Sequence, residues 1–146
     1  MKNAAFTLIA LVSLTAWMQA STADRAGYVL IDKFVVLFEG ITSSSGGDVD
    51  PGLQEMMAMA KKAKAEGRLT QEFFDRYARL LMVVKLAMIP DRERILAPLA
   101  DIQFKAFVRD VSGAPVQDTP PSIAALAKAI TQELDNLKKV LDQQNR

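Results

Sequence analysis

Apolar residues recur along this chain at steps of three and four, the spacing that gathers side chains on one face of an α-helix. Within residues 28–41, Leu30, Phe34, Leu37 and Ile41 share such a face. The richness of this segment in Val, Ile, Phe and Tyr would also suit strands, but no tight hairpin dipeptide interrupts it. A second helix should begin at Asp50 as N-cap with Pro51 at its first position, where a missing N–H costs nothing. Leu53, Met56, Met57, Ala60 and Ala63 form its apolar face, and Gly67 is the natural stop.

Thr70 is placed to cap a third helix, whose face carries Phe73, Tyr77, Leu80, Leu81, Val84 and Met88. On its polar side, Glu72 with Arg76 and Asp75 with Arg79 are four apart and read as ion pairs. From Leu80 onward apolar residues spread around the helix, as at a central position or under a partner. Pro90 should end it, and Asp91 can cap a fourth, in which Ile95, Leu99, Ile102 and Ala106 follow one stripe with Phe107 and Val111 alongside. Pro98 predicts a kink there, or a short turn before a main helix from Pro98 to Ser112, which Gly113 ends. Thr119 and Pro120 suit the cap and first position of a last helix with a seam of Ile123, Ala127, Ile130, Leu134, Leu137 and Leu141. The expected fold is all-α: a single-domain bundle of four to five helices with short loops.

The start of the chain changes the picture of where it works. Lys2 precedes an apolar run from Ala4 to Trp17, and Ser21 and Ala23 follow with the spacing of a peptidase site. Residues 1–23 therefore read as a secretory signal peptide and residues 24–146 as the mature helical-bundle domain. The protein is expected to be exported, periplasmic or secreted, with no stable membrane insertion after cleavage. Without Lys2 the remaining 17 basic and 17 acidic side chains cancel, so no global charge recruits nucleic acid. No cysteine is present, and packing alone must hold the domain.

Candidate chemistry is sparse. Residues 46–52, GGDVDPG, open like a calcium loop, but Leu53 stands where the sharp turn needs glycine and Met59 where the bidentate glutamate belongs. The stretch reads as a helix start. The chain has no histidine, which removes His-based nucleophile activation and His or Cys zinc sites. Asp32 with Glu39, and Asp101, are the carboxylates from which acid–base work could be built, although solvent exposure or pairing explains each. Leu69-Thr70 is weakly similar to the opening of the LTxxQ motif of periplasmic stress proteins; Phe73 stands where that motif has glutamine, and there is no second copy, so no membership follows.

Met56-Met57-Ala58-Met59 places three thioethers in four residues. Soft sulfur selects Cu(I), and Met56 and Met59 project to nearby directions on a helix, so they are the candidate metal ligands. Methionine also fills core gaps and makes adaptable contact surfaces. The leading functional expectation is a non-catalytic binding or scaffolding module without a cofactor, reaching a protein partner or a second copy through helical faces. Its candidate surface comprises Met57, Lys61, Lys62, Met82, Leu86, Leu134 and Leu141. The alternatives are a Met-rich Cu(I)-handling protein and a carboxylate-based enzyme.

Overall fold

A computed structural model describes residues 25–41, 49–88, 97–113, 115 and 121–144. The expected signal peptide, the serine-rich stretch with Asp48, and the expected stops and caps at Pro90, Asp91, Thr119 and Pro120 lie outside the described residues, as does Ile95. The described residues form five helices and no strand: α1 (25–41), α2 (Asp50–Ala65), α3 (Gln71–Ala87), α4 (Ala97–Ser112) and α5 (Ile123–Gln144). The protein is an all-α single-domain bundle, as the hydrophobic periodicity predicts.

Helix α3 is its axis. Phe73, Tyr77, Leu80, Leu81, Val83 and Val84 are all buried, and α2, α4 and α5 pack directly on it. Helix α1 lays Leu30, Ile31 and Phe34 into the same core. The Phe34 ring meets Tyr77 edge-on with centroids 6.5 Å apart, and Phe73 stacks on Tyr77 at 5.9 Å. Tyr77 is fully enclosed, and its hydroxyl donates to the Leu30 carbonyl at 2.8 Å. That bond satisfies the one polar atom the ring carries inward.

The α2–α3 connection follows local sequence chemistry closely. Gly67 adopts φ +74°, donating to the Lys64 carbonyl at 3.0 Å while the Arg68 N–H reaches the Ala63 carbonyl at 2.8 Å. These paired bonds satisfy the last carbonyls of α2 in a Schellman turn, and the left-handed backbone requires glycine. Thr70 then caps α3, its hydroxyl accepting from the Phe73 N–H at 3.2 Å. The same oxygen accepts from the Gln144 amide at 2.7 Å, tying the end of α5 to the start of α3. Gly113 ends α4 in the same left-handed region at φ +73°.

Three expectations are corrected. Asp50 is the first residue of α2 rather than its cap; Val49 precedes it in helical conformation with no capping side chain. Asp50 instead sets negative charge in the first turn, at the positive end of the helix dipole. The last helix starts at Ile123, later than expected, and is capped by Ser122, whose hydroxyl accepts from the Ala125 N–H at 3.1 Å. Pro98 lies in the first turn of α4, which runs from Ala97 to Ser112 as one element; of the two expectations for Pro98, the main helix holds and the kink does not. Within α4 the apolar stripe is displaced: Ala100 and Phe107 are buried, whereas Leu99 and Ile102 are 51% and 61% exposed.

Candidate functional site

The bundle's ends differ. Residue pairs along α3 fix the direction of its neighbours: Thr70 meets Gln144 and Arg76 meets Glu133, so α5 runs against α3 and begins where α3 finishes. Helix α4 starts shortly after α3 ends and brings its C-terminal half back beside Arg79. The last turns of α3 and the first turns of α4 and α5 therefore share one end of the bundle. Met82, Met88, Leu99, Ile102 and Ile123, all large and apolar, are exposed there. Leu86 is half-buried among them, and Lys85 is an exposed cation on the same turns of α3.

The other residues singled out from sequence are scattered. Met56 is buried in the core on α2, while Met57 and Met59 are half-buried against it. Lys61 and Lys62 are exposed. Lys64, a turn further, places its ammonium 4.6 Å from the centre of the Phe74 ring, a cation–π contact that links α2 to α3. Leu134 and Leu141 face the chain's own helices, with Gly27 of α1 backed directly onto the Leu141 side chain. Asp32 and Glu39 are exposed on α1, and Asp101 is half-buried on α4. Among the described residues, no group of three or more His, Cys, Asp or Glu could hold a metal ion.

One charged residue that the sequence reading passed over is buried. Glu133 is 3% exposed on the core side of α5. Its Oε1 accepts from Arg76 Nη2 at 2.6 Å and lies 3.4 Å from the Asn136 amide. Arg76 also lies 3.5 Å from Glu72, the expected i,i+4 partner. The pairing expected between Asp75 and Arg79 gives way to two others. Asp75 accepts from Gln71 at 2.7 Å, and Arg79 reaches across to Asp110 of α4 at 2.8 Å. Arg79 and Arg109, both donating to Asp110, hold that carboxyl below its ordinary range. Burial pushes the Tyr77 phenol well above its ordinary value. The ion pairs that cross between helices join α3 to α4 and α5, and α1 to α2 through Lys33 and Glu55 at 3.7 Å.

No family model matches the chain, and neither a characterised protein nor a solved structure resembles it closely enough to count as a relative. What the protein does must be argued from its own surface.

Proposed function

We propose that this protein is an exported helical binding module that acts through contact with a protein partner, a second copy being the simplest, and not through turnover. The observation that carries the reading is the apolar end of the bundle: Met82, Met88, Leu99, Ile102 and Ile123 exposed together where α3 ends and α4 and α5 begin. Scattered apolar residues on a surface need no explanation, but a grouped set marks a contact site. Two of the five are methionines, whose flexible thioethers adapt to a facing surface. Export rests on the pattern of residues 1–23. Among the described residues, no helix is long and apolar enough to cross a membrane, in keeping with a chain that is not held in one by them.

Native mass spectrometry of the protein isolated from its own host tests the reading. The expected result is a complex heavier than the monomer that disappears in Met82→Glu and Ile102→Glu, with far-UV circular dichroism unchanged. A bare monomer, or a complex that survives both charges, sinks the assignment.

A further inference from the structure

The first described turns of α1 lie beside the end of α2, and between them lies a cleft of about 420 Å³. That volume falls within the roughly 300–1,000 Å³ typical of sites for small organic ligands. Its floor is apolar and already sealed from water by the core: Leu30 is 1% and Ala63 9% exposed. Met59 forms one wall, half-buried, and Val29 another, 42% exposed although apolar.

The rim is different in kind. Arg25, Lys62 and Arg68 stand around it, and the acid among the lining residues, Glu66, is paired with Arg68 at 3.2 Å. Arg25 and Lys62 pair with no acid among the described residues. The mouth thus carries an excess of two positive charges in a chain whose basic and acidic residues nearly cancel. An apolar trough edged by cations that pair with no acid among the described residues is complementary to a molecule with an apolar tail and an anionic head. A cationic amphiphile would be repelled at the rim.

We infer that the cleft between α1 and α2 binds a single-chain amphipathic carboxylate of the fatty-acid class, its tail along Leu30, Met59 and Ala63 and its head between Arg25 and Lys62. The site is remote from the apolar end of the bundle and does not depend on it. Tail burial against a preformed apolar floor gives binding with a negative heat-capacity change. The two cations select the sign of the head group.

Isothermal titration calorimetry with decanoate, on the protein as isolated from its host, decides the matter. Saturable binding at one site per chain is expected, weakened roughly tenfold or more in the double variant Arg25→Glu, Lys62→Glu, because two attractions become two repulsions. The conservative pair Arg25→Lys, Lys62→Arg should bind within about twofold of the parent, since the charges remain. Decyltrimethylammonium, with the same tail and the opposite charge, should bind far more weakly than decanoate. Absence of saturable decanoate binding overturns the assignment, as does equal binding by the charge-reversed variant or of the cationic probe. Both positions are exposed at the rim, and circular dichroism of each variant separates a lost site from a lost fold.

Discussion

Replacing Arg76 by alanine should be among the most damaging single changes to this fold. The Glu133 side chain is 5% exposed and that of Arg76 32%, with 2.6 Å between Oε1 and Nη2. At an effective dielectric near 20, that separation corresponds to about 6 kcal/mol of gross attraction, most of it offset by the cost of taking both charges out of water. Removing the arginine removes the attraction and leaves the carboxylate in place. Its remaining contact is the Asn136 amide at 3.4 Å, the outer limit of a hydrogen bond. A buried charge stripped of its partner typically costs ~3–5 kcal/mol. The lower figure, about 3 kcal/mol, applies here because water can enter where the half-exposed guanidinium stood. Glu133→Gln, which keeps a side-chain acceptor for Arg76 without the charge, should lose about 1–2 kcal/mol. The apolar pair Arg76→Met, Glu133→Leu should come within about 1 kcal/mol of the parent, since a well-packed hydrophobic pair replaces a buried ion pair at little net cost. Urea unfolding followed by far-UV ellipticity at neutral pH reads all three. With a slope of ~1–3 kcal/mol per molar, Arg76→Ala should lower the midpoint by on the order of 1–3 M. The reasoning fails if Arg76→Ala stays within about 0.5 kcal/mol of the parent, the scatter of ordinary surface substitutions, or if the apolar pair is as unstable as the single variant.

Two further outcomes follow from the core. Tyr77→Phe removes the bond to the Leu30 carbonyl and should cost about 1 kcal/mol at neutral pH. The phenol is held neutral in the folded protein above its ordinary value of 10.0, so its contribution is fully present below that pH and declines as pH rises beyond it. The stability gap between parent and Tyr77→Phe should therefore hold up to about pH 10 and close only above it in urea titrations; a gap that stays constant beyond that pH contradicts the burial argument. At Gly27, an added methyl would lie 2.6 and 2.8 Å from the two terminal carbons of Leu141, itself 3% exposed. Overpacking of ~1–3 kcal/mol should outweigh the roughly 1 kcal/mol that alanine gains over glycine as a helix former. Thermal unfolding should place Gly27→Ala modestly and Gly27→Val severely below the parent, and an unchanged or raised Tm for either would show that α1 and α5 are not so closely apposed.

What could be read from the sequence divides along the range of the forces involved. Thr70 and Gly67 act on backbone groups three to five residues away, and both do what their chemistry dictates. The apolar face of α3 was legible for Phe73, Tyr77, Leu80, Leu81 and Val84, because no competing series offered itself; at its last turn Val83 goes inward and Met88 stays out. In α4 two apolar series overlap at helical spacing, and only packing against α3 and α5 selects Ala100, Phe104 and Phe107 over Leu99 and Ile102. The same ambiguity concealed Glu133. The stripe Leu126, Ile130, Glu133, Leu137 and Val140 interleaves with the expected seam and has the same rhythm. A lone acid on it would have been the signal, but its partner Arg76 is 57 residues away and belongs to no local pattern. Arg79 likewise prefers Asp110 across the bundle to Asp75 beside it. The apolar end of the bundle was partly visible in Met82 and Leu86; Leu99, Ile102 and Ile123 joined it only once the helices had directions.

The contact between α1 and α5 has a consequence for the order in which the protein folds. Tyr28 donates to Asp142 across 114 residues, Gly27 rests on Leu141, and Gln144 reaches back to Thr70. A ribosome makes α1 before α5, so the face of α1 that carries Gly27 and Tyr28 has no α5 to meet until some hundred residues later, although Leu30 and Phe34 can already pack on α3. The hairpin of α2 and α3 can form early from neighbouring residues, but the contact between α1 and α5 cannot close before α5 is made. On the exported reading proposed above, that lag has a use. A chain to be threaded across a membrane must stay loose beforehand, and here α5 holds the key.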